Sequence, residues 1–330
     1  MKHGNFALFL PMQGCPYTCV YCDQNKITGQ KKVDLSRMEV TLREGARGWR
    51  EDGRRGQIAF FGGTFTGLAP EEMRALLLLA QPYLADGTFD GIRISTRPDR
   101  IDARTLSLLR EYGVTHIELG VQSMCDDVLR ASGRRYDAGT VETGARMIRD
   151  GGFVLGMQMM TGLPCDTPEK SLFTARRLIE MGAAESRIYP TVVLRGTALA
   201  RAYEKGEYLP PSLEETVALC AELADVLERA EVTILKMGLH GDLRREDIVA
   251  GPFHPAFRQL VDGKRCLDRM ISFSEQHAGI KTLYAVPRKF GVSDIVGHHG
   301  VNRKTLLRRF GVRLEISGIP LTSGVPYVIL

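Results

Sequence analysis

The sequence predicts an α/β protein built on a parallel sheet, and three observations carry that reading. β-rich runs at residues 6–10, 57–61, 91–95, 116–121, 153–160 and 187–193 alternate with amphipathic stretches of helical period. Their spacing of roughly 25–50 residues is that of strand–helix units joined by right-handed crossovers. The residues with chemical potential fall directly after the strands, where such a sheet exposes its reactive edge. Periodicity leaves two closures open: an open doubly wound sheet, or a complete or partial barrel.

The elements follow in order. The first run, Phe6 to Leu10, leads into a cysteine-rich turn. Ser36 with Glu39 three residues on reads as a capping box for the next helix. Pro70-Glu71-Glu72 opens a helix whose apolar face is Met73, Leu76, Leu77, Ala80 and Leu84. Asp102 caps a helix carrying Leu106 and Leu109. Thr167-Pro168 starts a helix reaching Met181, and Ser212 with Glu215 starts one reaching about Glu231. There is no internal repeat and no long linker.

Composition narrows the class. With 44% hydrophobic and 25% charged residues over 330 positions, the chain has material for a core and is not low-complexity or disordered. No apolar run approaches the ~18 residues that span a bilayer. The N-terminus lacks the long apolar region and small-residue cleavage site of a secretion signal. A cytoplasmic protein without membrane association is expected. Seven cysteines, an odd number, do not resemble a secreted disulfide framework.

Three of those cysteines, Cys15, Cys19 and Cys22, fall within eight residues as C-x3-C-x2-C, straight after the first strand. Thiolates are soft ligands suited to zinc, copper(I) or iron–sulfur clusters. A structural zinc site needs four ligands, and His3 is the one nearby candidate for the fourth. A cubane [4Fe–4S] cluster held by three cysteines leaves one iron open. Of the others, Cys220 shares a helical stripe with Val217, Ala221 and Ala224 and reads as core. Cys125 and Cys266 have no nearby partner. Cys165, in Gly162-Leu163-Pro164-Cys165, is the one lone cysteine near the expected site and the candidate for a catalytic role.

C-x3-C-x-aromatic-C resembles the signature of radical S-adenosylmethionine (SAM) enzymes, whose fold is a partial (β/α)6 TIM-like barrel. Phe60-Phe61-Gly62-Gly63-Thr64 after the second strand resembles the family's glycine-rich SAM motif, and glycines there permit close backbone approach. Ser95-Thr96-Arg97-Pro98-Asp99, Glu118-Leu119-Gly120-Val121-Gln122-Ser123 and Met159-Met160-Thr161-Gly162-Leu163-Pro164 end the next three strands. Together with Arg187-Ile188-Tyr189-Pro190-Thr191 they resemble the branch of oxygen-independent coproporphyrinogen oxidase and, more closely, the Elongator catalytic subunit. The resemblance implies that Cys15, Cys19 and Cys22 hold a [4Fe–4S] cluster. It places Tyr21 by the adenine, Gly62, Gly63 and Thr64 by the methionine amine, and Ser95, Gln122, Arg134 and Gln158 along the ribose and carboxylate. Gln158 and Ser95 stand where the coproporphyrinogen branch has aspartate and glutamate, which weakens the tetrapyrrole analogy.

The charge is uneven. Residues 281–330 carry eight basic and two acidic residues, a net +6 against +5 for the whole chain, so residues 1–280 carry −1. A β-like run at 282–286, a short helix, Gly297-His298-His299-Gly300, a basic helix at 302–310 with Leu306 and Leu307 inward, and a strand at 313–316 resemble a KH module. Such a module clamps single-stranded nucleic acid with a GxxG loop. Gly297, His298, His299 and Gly300, with Lys304 and Arg308, are the expected RNA contacts. The expected organisation is a barrel over residues 1–235, a connecting segment over 236–280 and a basic KH-like element over 281–330.

The resemblance implies reductive cleavage of SAM to a 5′-deoxyadenosyl radical, served by a one-electron donor such as flavodoxin or ferredoxin. The expected substrate is an RNA base, in tRNA or rRNA. About 95 residues follow Leu235, too few for an acetyltransferase domain beside the basic element. The alternatives are a small-molecule oxidase or decarboxylase of the coproporphyrinogen type and a non-catalytic iron–sulfur RNA-binding protein.

Overall fold

The computed structural model describes residues 3–28, 34–241, 243–318 and 326–330. Strands β1 (His3–Phe9), β2 (Arg55–Phe61), β3 (Gly91–Thr96), β4 (Val114–Gln122), β5 (Val154–Thr161) and β6 (Glu185–Pro190) lie side by side in chain order. A two-residue β7 (Val193–Leu194) leaves the sheet, and β8 (Thr233–Met237) adds a seventh strand beside β6. Every pairing in this sheet is parallel, and the sheet curls into a half-barrel.

Helices α1 (Gln24–Thr28), α2 (Leu35–Glu51), α3 (Pro70–Ala85), α4 (Ala103–Glu111), α5 (Asp126–Ala131), α6 (Ala138–Asp150), α7 (Pro168–Glu180), α8 (Ala198–Glu204) and α9 (Leu213–Arg229) fill the connections. Leu42, Leu77, Leu109, Ile148, Leu178 and Leu227 from six of them pack with Ile58, Ile92, Ile94 and Ile117 in one continuous core. Covered on the outer face and concave on the inner, the strands read as apolar runs rather than alternations.

The caps show why the helices begin where they do. Asp102, Thr167 and Ser212 each accept a backbone N–H three residues on. For α2 the cap is Asp34, which accepts from the Arg37 N–H, and Ser36 sits inside the first turn. The run expected as one strand over 187–193 is divided, because Pro190 has no N–H with which to continue a ladder. β8 was not among the expected strands.

Beyond the barrel, β9 (Ile248–Ala250) pairs antiparallel with β7, and α10 (Phe257–Gln276) packs on α9. Buried Arg265 of α10 meets Asp225 and Glu228 of α9 and fixes that contact. Then follow β10 (Thr282–Val286), α11 (Val292–Val296), α12 (Val301–Phe310), β11 (Arg313–Ile316) and β12 (Tyr327–Ile329). β11 and β12 flank β10, both parallel to it, over a second core of Cys266, Met270, Leu283 and Leu306. Leu307, expected inward, is 57% exposed. Among the described residues no helix is long and apolar enough to cross a membrane.

Candidate active site

The concave face of the sheet encloses a cavity of about 350 Å³ at the C-terminal ends of the strands. Cys15, Cys19, Cys22, Tyr21, Gly62, Gly63, Thr64, Ser95, Gln122, Arg134 and Gln158 all line it. The cluster-loop and strand-end residues expected from the sequence are therefore brought to one place.

Two glycines interlock the cysteine loop with the turn after β2. A Cβ on Gly14, where φ is +68°, would lie 2.1 Å from the Thr64 carbonyl oxygen. One on Gly63 would lie 2.4 Å from the Gln13 oxygen. Their absence lets Thr64 N–H donate to Gln13 O at 2.8 Å and brings Cys15 Sγ to 3.2 Å from Thr64 Oγ1. Gly63 thus has a packing duty beside the ligand contact expected of it. The segment after Cys22 is tied down by Lys26, which donates to Arg195 O and lies 3.9 Å from buried Asp247.

Gln122 reaches the cavity through a backbone irregularity. The β4–β5 register shifts between Gly120 and Gln122, and Gln122 takes a φ of +69°. A bulge re-aims a side chain that regular alternation would place elsewhere. Gln158 Nε2 then donates to Gln122 Oε1 at 2.9 Å. Arg134, 8% exposed, donates to Cys19 Sγ at 3.2 Å, to Tyr136 Oη at 2.6 Å and to Gly120 O.

The thiols suit an iron–sulfur cluster. Burial, then the neighbouring Cys19 and Cys15, push the Cys22 thiol up to about 12. Binding an iron–sulfur cluster would take up Cys22 as a thiolate, since a bound metal deprotonates a coordinating thiol. Among the described residues no three His, Cys, Asp or Glu side chains converge as ligands of a single metal ion would. The side chain of His3 lies outside what the structure describes.

Sequence reasoning missed the polar wall of this cavity. Arg187 Nε donates to Glu118 Oε2 at 2.7 Å and stacks 4.8 Å from the centre of the Phe61 ring. Fully buried Arg93 forms a fork to Glu185 at 2.7 and 3.1 Å and lies 3.9 Å from Glu118. Gly156 stands between Glu118 and Glu185 in the register. Burial raises the Tyr189 phenol, Glu118 adds to this, and Arg187 opposes it. His240 completes the rim, edge-on to Phe9. Glu118 lies within β4 and Arg187 within β6, in segments already singled out, although nothing in the sequence pairs the two.

Other expected site residues lie elsewhere. Cys165 is exposed and does not line the cavity; its φ of +64° turns the chain, and Lys170 Nζ donates to its carbonyl at 2.6 Å. Gly297, His298, His299, Gly300, Lys304 and Arg308 sit on the C-terminal element, away from the cavity lining. Gly297 takes a φ of +80°, and a Cβ there would come within 2.7 Å of the Asn302 side chain. His298 packs edge-on to His254 at 5.1 Å, and Lys304 Nζ donates to His299 O at 3.1 Å.

Comparison with known proteins agrees with this geometry. The Radical SAM superfamily profile matches residues 9–178, and that of the radical SAM C-terminal domain matches 184–265. The chain belongs to the radical SAM superfamily. It is 29% identical to Elongator complex protein 3 of Dictyostelium discoideum over 224 residues, covering 66% of this chain and 37% of that protein. It is 26% identical to heme chaperone HemW of Bacillus subtilis over 240 residues, covering 71% and 60%. The structure of the archaeal Methanocaldococcus infernus Elp3 shares the fold, with a TM-score of 0.65 at 17% identity, over 83% of this chain and 63% of that one. The chain thus spans well under half of the Elongator relative. It is a radical SAM enzyme whose cofactors are a [4Fe–4S] cluster and SAM.

Proposed function

We propose that this enzyme modifies a base in tRNA or rRNA, with the C-terminal element holding the RNA backbone. The observation that supports this most is the charge distribution, a net +6 confined to residues 281–330 in a chain that is otherwise nearly neutral. Lys304 and Arg308 are exposed on one helix directly after the Gly297–Gly300 turn. Exposed cations beside a glycine turn are what a phosphate backbone requires. An electron donor of the flavodoxin or ferredoxin class completes the proposed system.

When bound, the cluster and SAM supply a carbon-centred radical by one-electron cleavage of the sulfonium. The chain's own part is positional. Cys15, Cys19 and Cys22 would hold the cluster, while Gln122, Gln158 and Ser95 would offer polar contacts to SAM. Phe61, Tyr21 and Met160 exclude water. Arg187 and Glu118, already paired with each other, present a wall that favours a polar, uncharged partner such as a nucleobase edge over a free carboxylate.

The test is RNA affinity across a salt series for wild type and for Lys304→Glu/Arg308→Glu. Wild-type binding should fall with a slope of about −0.7 per phosphate neutralised, and the variant should bind on the order of tenfold more weakly at moderate salt. Deoxyadenosine formation without RNA should persist in both. Wild type with no RNA affinity at low salt would move the weight to a small-molecule substrate.

A further inference from the structure

Four arginines are buried among the described residues: Arg93, Arg97, Arg134 and Arg265. Arg93 has Glu185, Arg97 has Asp99 in a two-pronged pair, and Arg265 has Asp225 and Glu228. Among the described residues, Arg134 has no carboxylate within ion-pair distance. A buried charge without a counter-charge costs several kcal/mol, so the fold carries Arg134 at a loss unless an anion comes to it. What it faces is sulfur: its Nη1 is 3.2 Å from Cys19 Sγ.

The guanidinium is also held fixed. Tyr136 accepts from its Nε at 2.6 Å and lies beneath it, with the ring centre 4.9 Å away. Gly120 O accepts from Nη2, and a Cβ on Gly120 would crowd that nitrogen at 3.1 Å. A planar cation locked in this way cannot swing far to seek another partner.

We propose that Arg134 is the buried counter-charge of the iron–sulfur cluster at Cys19 and raises its reduction potential. The inference rests on the three-cysteine cluster site and is independent of the substrate. Once Cys19 ligates iron as a thiolate, the contact becomes a charge-assisted N–H···S bond. Hydrogen bonds to cluster sulfurs and nearby positive charge are levers on cluster potential. Reduction adds one electron from an external low-potential donor, with no bond made or broken and no proton moved. The added negative charge is stabilised by Arg134, so removing the arginine makes the cluster harder to reduce.

The experiment uses the full chain reconstituted with iron and sulfide, without SAM. The midpoint potential is read by dithionite titration followed by electron paramagnetic resonance. Arg134→Met, at wild-type iron content, should shift it to a more negative value by about 59 mV, a tenfold change for a one-electron couple. An unchanged potential with four irons bound overturns the proposal. A loss of SAM affinity with that unchanged potential would assign Arg134 to the SAM carboxylate instead. Should Arg134→Met fail to hold a cluster, wild type decides. Protein labelled with ¹⁵N only in arginine should show an isotope-dependent nitrogen coupling to the reduced, SAM-free cluster, and its absence overturns the proposal equally.

Discussion

Gln158 donates its side-chain amide to Gln122 across the β4–β5 seam, at 2.9 Å. The pair joins a residue on a regular strand to one that a bulge has turned into the cavity. Gln122→Ala removes the polar group and leaves Gln158 without its acceptor. It should weaken SAM binding by roughly 1–3 kcal/mol, or about 5–150-fold in Kd. Iron content should stay at the wild-type level, because neither glutamine belongs to the cysteine loop. Equilibrium dialysis of SAM with parallel iron analysis checks both halves.

Replacing Cys15, Cys19 and Cys22 together by alanine should abolish iron–sulfur absorbance after anaerobic reconstitution, along with reductive formation of 5′-deoxyadenosine. Wild type should take up about four irons and four sulfides. Stoichiometric zinc in protein prepared without oxygen, with no cluster absorbance, would contradict the site.

The loop that carries those cysteines depends on a glycine rather than on a ligand. Gly14→Ala places a Cβ 2.1 Å from a backbone oxygen at a φ of +68°. The backbone itself must shift, so cluster uptake should fall sharply. Gly53 offers the control: its φ is +60°, but nothing lies within 4 Å of a Cβ there. Gly53→Ala should cost only the conformational strain of about 1–2 kcal/mol and leave iron uptake intact. Iron stoichiometry of the two variants separates loop closure from general strain.

Those contrasts show what was legible in the sequence. The cysteine spacing, Gly62-Gly63 and Gln122 were readable because each sits in a short segment at a strand end, and the parallel sheet brings strand ends together. The Glu118–Arg187 pair was not readable, since its members are 69 residues apart and meet only through the β4–β5–β6 register. The partner of Arg134 was hidden for the same reason: Cys19 is 115 residues away. β8 was missed because five residues with one lysine give little periodicity, and its pairing with β6 decides its state. Leu307 misled because its helix is covered on one side only. Local chemistry is written locally, while cross-strand partners depend on curvature and register.

The Glu118–Arg187 pair is nearly closed to solvent, at 4% and 12% side-chain exposure. Removing one partner strands a buried charge, so Glu118→Leu should destabilise the fold by about 3–5 kcal/mol. Glu118→Leu with Arg187→Met removes both charges and should recover much of that loss. Urea midpoints of the two variants and wild type measure the difference. A double variant no more stable than Glu118→Leu would show that the wall needs its charges to pack.

The last prediction concerns acid. His254 packs against His298, which lies 4.1 Å from His299 between ring centres. Burial first, then His298 and His299, hold the His254 imidazole below its ordinary value. A histidine whose folded value is lowered favours the folded state while neutral. Its contribution is complete above about pH 6.5, the unfolded value, and is lost as pH falls through the lower folded value. Acidification should therefore loosen the junction between the 252–256 segment and the turn before α12 ahead of the barrel. His254→Gln, which cannot charge, should lessen the fall in thermal midpoint between pH 7.5 and 5.5. An identical pH dependence in wild type and His254→Gln would show that His254 does not carry the acid response of this junction.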